Sequence, residues 1–95
     1  MGNTNYIKGR SREYQALKIL RNDGWLCSRS AASHSAIDIF ACKDERVLLI
    51  QVKSGKARVT EKDRLELSKW KKESGCCVEI WFFGRKKEIE KEVIF

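Results

Sequence analysis

The residues of this 95-residue chain whose types and spacing suit chemistry are Asp38 and, thirteen positions later, the run Gln51-Val52-Lys53. Both sit in apolar surroundings: Ile37, Ile39 and Phe40 flank Asp38, and Val47-Leu48-Leu49-Ile50 leads into Gln51. In a β-strand, residues two apart point to the same face, so Gln51 and Lys53 project together while Val52 faces the other way. A polar turn at Lys43-Asp44-Glu45-Arg46 folds the two stretches into a hairpin, bringing Asp38 opposite the end of the second strand. Burying polar and charged groups beside an apolar sheet costs free energy unless something compensates it, and a divalent cation would do so. The Asp38 carboxylate, the Gln51 amide oxygen and the Val52 carbonyl are hard oxygen donors suited to Mg²⁺ or Mn²⁺. Such an ion activates water and stabilises the charge that develops in phosphodiester hydrolysis. Lys53 would orient the water or neutralise the phosphate. A plain cross-strand ion pair between Asp38 and Lys53 has the same spacing, and on spacing alone it is the favoured reading.

The elements that must position these groups are legible in the apolar pattern. From about Ser11 to Asn22, Ala16, Leu17 and Leu20 recur at helical spacing, and Gly24 offers a left-handed cap. Glu13 falls on the same stripe, three, four and seven residues before those apolar positions, so a carboxylate faces the expected core and can reach the Asp38 corner. Trp25 to Arg29 reads as a short strand, Ser30 to Ser35 as a small-residue loop, and Ala36 to Ala41 with Val47 to Lys53 as the hairpin. The apolar run Val47 to Ile50 implies a strand buried on both faces, in the middle of a sheet. Thr60 opens a second helix, with Asp63 completing an approximate capping box, and the helix continues through Trp70 to Gly75. Cys76 to Phe83 is another strand, and Glu88 to Phe95 a charged, peripheral one. The order is helix, three strands, helix, strand and a final strand, in one domain spanning residues 1–95 with a basic N-terminal arm over 1–10.

Lys and Arg number 20 against 13 Asp and Glu, a formal charge of +7. That excess favours a polyanionic partner, because phosphate neutralisation releases counterions. No apolar run exceeds four residues, so no membrane span and no membrane partner is expected, and with no leader-like start the chain is placed in the cytoplasm. Cys27, Cys42, Cys76 and Cys77 contain no C-x-x-C pair and lie mostly beside apolar runs, which favours reduced, packed thiols over zinc or disulfides. His34 is expected to be a solvated loop residue rather than a general base. The basic runs Lys69-Trp70-Lys71-Lys72 and Arg85-Lys86-Lys87 are read as solvated surface, and Trp25, Trp70 and Trp81 as core.

The succession Lys8-Gly9, Glu13, a helix ending at Gly24, Arg29, Ser33, Asp38 and Gln51-x-Lys53 resembles the archaeal Holliday junction resolvases and, more broadly, the PD-(D/E)xK nuclease superfamily. The likeness extends by motif from about Lys8 to Lys56 and by element order beyond. It implies an α/β fold with a restriction endonuclease-like core, a central mixed β-sheet flanked by two helices. It also implies a Mg²⁺-dependent endonuclease, with Mn²⁺ able to substitute, that cuts branched DNA such as four-way junctions as a homodimer. By this resemblance Glu13, Asp38 and Gln51 are metal-site residues, to which the donor chemistry above adds the Val52 carbonyl, Lys53 is the catalytic lysine, and Ser33 lies near the scissile phosphate. Arg29 contacts a phosphate, and Lys8, Arg10, Arg12 and Lys56 bind the DNA backbone. Ile37 stands where a proline often precedes the aspartate, the loop before Asp38 is short, and Gln51 replaces the usual acidic residue. An amide binds a cation less tightly than a carboxylate, so metal affinity should fall. The alternatives are a non-catalytic or weakly active nucleic-acid-binding module that kept the fold, or a nuclease of the same superfamily acting on other DNA structures.

Overall fold

An uninterrupted apolar run must bury alternate side chains on opposite sides, which calls for a layer above and a layer below. The computed structural model describes residues 4–30, 35–54, 57–84 and 89–95, and of residues 4–10 the backbone only. Its elements are α1 (Thr4–Asn22), β1 (Leu26–Arg29), β2 (Ile39–Lys43), β3 (Arg46–Ser54), α2 (Glu61–Ser74), β4 (Cys77–Phe83) and β5 (Ile89–Ile94). The strands form one sheet in the order β1-β2-β3-β4-β5, so the strand with the apolar run is the central one. β3 pairs antiparallel with β2 and parallel with β4, and the two outer pairs are antiparallel. The sheet is therefore mixed, and α2 supplies the crossover that a parallel pair requires.

The two helices bury opposite faces. On one side Ala16, Leu17 and Leu20 of α1 pack against Ile39, Ala41, Leu48, Ile50, Trp81 and Phe83. On the other, Leu67 of α2 packs with Ile37, Leu49, Val78, Ile80 and Ile94. Leu48, Leu49 and Ile50 thus alternate between two cores, and all three are buried, whereas Val47 at the start of the run is exposed. Trp81 is fully enclosed, and Trp25 and Trp70 pack against the two cores as half-buried residues. Cys27 and Cys76 are half-buried free thiols, while Cys42 and Cys77 are exposed. Because α2 packs on β4 and β5, the α2-side face of β1, β2 and the start of β3 is left bare, with Leu26, Phe40 and Val47 exposed on it. No helix among the described residues is long and apolar enough to cross a membrane.

Local chemistry sets the element ends. Thr60 Oγ1 accepts from the Asp63 N–H at 3.1 Å and Asp63 Oδ2 accepts from the Thr60 N–H at 3.0 Å, the reciprocal capping box. Gly75 ends α2 at φ 68°, and Gly24 follows α1 at φ 88°, both left-handed positions where a Cβ would be strained. α1 begins at Thr4 rather than near Ser11, so residues 4–10 continue the helix instead of forming an arm. Asp38 lies just before β2 rather than inside it.

The β2–β3 hairpin closes through Asp44 and Glu45, both at positive φ (51° and 64°), which matches the twist of the flanking strands. Asp tolerates that conformation better than Glu does, and a left-handed residue costs roughly 1–2 kcal/mol. Glu45→Gly should relieve more strain than its greater unfolded-state freedom offsets, a net gain of about 0.5–1 kcal/mol. The expected outcome is a Tm rise of about 2–8 °C in a thermal melt; an unchanged or lower Tm would show that residue 45 carries no strain.

Candidate active site

Where β2 would run on beyond Ile39, Asp38 fills in for it. The Asp38 N–H donates to the Ile50 carbonyl at 2.8 Å and the Asp38 carbonyl accepts from the Ser30 N–H at 2.8 Å, so its backbone is fixed between the chains of β1 and β3. Ile37 then turns into the α2-side core, and the Val52 N–H, which a longer β2 could have engaged with a carbonyl, donates instead to Asp38 Oδ2 at 2.7 Å. A side-chain carboxylate thus satisfies a backbone donor of the central strand.

That position is unfavourable for charge. Burial pushes the Asp38 pKa up to about 6 from an ordinary value of 3.8, the Val52 N–H pulls it back down, the nearby Glu13 carboxylate raises it and Lys53 lowers it. Relative to an exposed carboxylate, an upward shift of that size makes the ionised form less favourable by about 3 kcal/mol. Glu13 and Lys53 are therefore close enough to act electrostatically on Asp38, yet among the described residues neither makes an ion pair with it.

Each instead has another partner. Glu13 Oε1 lies 3.4 Å from Arg29 NH1, both side chains half-buried, and the Arg29 guanidinium also stacks over the Tyr14 ring at 5.3 Å from its centroid. This gives the carboxylate on the apolar stripe of α1 its partner. Lys53 Nζ lies 3.4 Å from Asp63 Oδ2. The Asp63 carboxyl is held below the ordinary range, chiefly by the Thr60 N–H and also by Lys53. The simple Asp38–Lys53 ion pair that spacing favoured is not the arrangement found.

Gln51 is the one buried polar side chain among the described residues, 8% exposed, and its Oε1 has no hydrogen-bond partner. A buried, unsatisfied amide oxygen costs about 1–3 kcal/mol, and a positively charged ligand within its reach would offset that cost. No group of three or more His, Cys, Asp or Glu suited to a metal occurs among the described residues. The available set is two carboxylates, Asp38 and Glu13, with the Gln51 amide oxygen and backbone carbonyls. All are hard oxygen donors, which fits Mg²⁺ or Mn²⁺ and not a softer metal. For Val52 the observed contact is through its N–H, while its side chain packs on the α1-side core.

Arg12 lies one residue before Glu13 and donates to Gln15 Oε1 at 3.2 Å. Ser33, His34 and Lys56 fall outside the described residues, as do the side chains of Lys8 and Arg10 and the basic run 85–87. Asp63 was legible as a helix cap but not as the partner of Lys53, because the contact depends on how α2 seats on the sheet. Tyr14 beneath Arg29 carried no signal beyond its adjacency to Glu13.

The model of the archaeal Holliday junction resolvase (Hjc) family matches residues 4–93. A solved structure of Archaeoglobus fulgidus Hjc, described as a Holliday junction resolvase from an archaeal hyperthermophile, superposes with a TM-score of 0.79 at 20% identity, covering 92% of this chain and 73% of that one. No curated protein sequence gives a significant match. At that identity the structural likeness speaks for the fold, while the family match takes in α1, the whole sheet up to Val93 and every residue of the Asp38 corner. The chain belongs to the archaeal Holliday junction resolvase family.

Proposed function

We propose that this protein is a Mg²⁺-dependent endonuclease that hydrolyses phosphodiester bonds in branched DNA, with four-way junctions as its main substrate and Mn²⁺ able to substitute. The observation that supports the reading is the mostly buried Asp38 carboxylate, tied to the Val52 N–H and with Glu13 and Lys53 near enough to act on its charge, on a strand that also carries the unpartnered Gln51 amide oxygen. Asp38 and Gln51, with Glu13 and the Val52 carbonyl, would hold the ion, which when bound supplies charge neutralisation and a more acidic water. The Val52 N–H fixes the Asp38 carboxylate so that one oxygen is committed to the backbone and the other is available. Lys53 neutralises charge on the phosphate, and Arg29, exposed enough to be approached, steadies the strand. The +7 charge draws the backbone in, with Lys8, Arg10, Arg12 and Lys56 as contacts and Ser33 near the scissile phosphate. Symmetric resolution needs two paired sites, so the working form is a homodimer acting in the cytoplasm. The bare apolar residues Leu26, Phe40 and Val47 are available for such pairing.

Wild-type protein should nick four-way junctions with Mg²⁺ or Mn²⁺ in a gel assay. Asp38→Asn should lower cleavage by about 10³-fold or more, the loss of several kcal/mol of transition-state stabilisation, while junction binding in Ca²⁺ persists. Binding without cleavage under every divalent metal would favour the non-catalytic module instead. Gln51→Glu adds a charged donor and should lower the half-maximal Mg²⁺ concentration roughly tenfold, about 1.4 kcal/mol; an unchanged requirement would remove Gln51 from the ion's surroundings.

The raised Asp38 pKa also sets a pH dependence of stability. The folded chain holds a proton that the unfolded chain releases between about pH 4 and pH 6, so this contribution is full below the unfolded pKa and lost as pH rises through about 6. In metal-free buffer at pH 7.5, Asp38→Asn should therefore melt at least about 5 °C above wild type, with the difference closing towards pH 4. Mg²⁺ should raise the wild-type Tm and leave that of the variant. A wild type as stable as Asp38→Asn at pH 7.5 would show that the carboxylate is not disfavoured there.

A further inference from the structure

Lys53 ends a flexible four-carbon stem, and the nearest anion its strand offers is Asp38 across the hairpin. An ammonium closing on that carboxylate would occupy the oxygen a divalent cation needs. The ammonium instead lies against Asp63, with both side chains about a quarter exposed (22% and 26%), a pair more sheltered than an ordinary surface bridge. Asp63 is itself fixed before Lys53 arrives, because its Oδ2 accepts from the Thr60 N–H and its own N–H donates to Thr60 Oγ1. Capping boxes usually carry Glu or Gln at this position. The shorter Asp keeps the carboxylate close to the start of α2, beside the end of β3. The same oxygen, Oδ2, serves the helix start and the lysine.

We propose that Asp63 is a positioning residue for the nuclease site: its carboxylate holds the Lys53 ammonium apart from Asp38, leaving Asp38 free to bind a divalent cation. This rests on the metal-dependent reading above. α2 is then a brace for the site as well as the crossover between β3 and β4, with its first turn setting where the lysine stands.

The test separates the cap from the brace. Asp63→Asn keeps an acceptor for Thr60 and loses the charge that holds Lys53; Thr60→Ala loses the cap hydroxyl and keeps the Asp63 carboxylate. With Mn²⁺ alone as the probe, titrated by EPR in the absence of DNA, Asp63→Asn should weaken binding about tenfold, and Asp63→Glu should recover most of it. Thr60→Ala should lower Tm and leave Mn²⁺ affinity unchanged. In a Lys53→Met background the effect of Asp63→Asn should vanish, because there is no ammonium left to stray. Unchanged Mn²⁺ affinity in Asp63→Asn, an equal loss in Thr60→Ala, or persistence of the loss in the Lys53→Met background would each overturn the proposal. Should the wild type bind no Mn²⁺ at all, the metal-dependent reading fails. The order of the Lys53 ammonium in ¹⁵N NMR of the metal-free protein then decides the positioning claim by itself: Asp63→Asn must loosen it and Thr60→Ala must not.

Discussion

The Asp38 corner of the molecule depends on one hydrogen bond, from the Val52 N–H to Asp38 Oδ2. It stops β2 one residue short, frees Ile37 to enter the α2-side core, and ties a carboxylate to the backbone of the most enclosed strand. A carboxylate so fixed cannot swing out to water when its charge becomes costly. Its only responses are to take up a proton or to attract a cation, and the rise in its pKa expresses that choice. The rigidity comes from elsewhere: β3 is locked by neighbours on both sides and by a helix on each face, so the donor does not move.

Around this carboxylate the remaining charges are sorted into pairs. Glu13 goes to Arg29 and Lys53 goes to Asp63, each at 3.4 Å and each between elements distant in sequence. The two helices deliver one member each, α1 through Glu13 and α2 through Asp63. Both pairs are only half-buried, so neither carries the heavy desolvation cost of a fully enclosed ion pair, and both can be opened by a competing phosphate or cation. Asp38 and Gln51, deeper in the sheet, are the members of the group without an ionic partner among the described residues, and the demand for positive charge is concentrated there.

Much of the scaffold was legible in the sequence because it follows from rules of short range. The apolar run before Gln51 marked the central strand, Thr60 with Asp63 marked the start of α2, Gly24 marked the end of α1, and the charges of the last segment marked an edge. The first turns of α1 were missed because residues 4–10 carry no apolar stripe, so periodicity had nothing to register. The nearness of Lys53 to Asp38 was visible from the two-residue period of β3 and the length of the turn. The partners of Glu13 and Lys53 were not, since Arg29 and Asp63 reach them only through the seating of helices on a sheet, which no local pattern encodes. Spacing favoured a plain Asp38–Lys53 bridge because it saw the hairpin and not α2.

Gln51 is best understood from the same electrostatics. Position 51 is buried and lies next in the strand to Ile50, whose carbonyl holds the Asp38 N–H, and the Asp38 carboxyl is already pushed up to about 6 with Glu13 adding to the shift. A second carboxylate near Asp38 would raise its pKa further and add to the cost of folding, since like charges at short range cannot both stay ionised cheaply. An amide keeps an oxygen donor in place at the smaller cost of one unsatisfied acceptor. The consequence is a position that folds with less strain than a second carboxylate would impose. On the metal-dependent reading proposed above, a glutamine at this position would shift the balance from affinity towards stability and still offer the ion an oxygen donor.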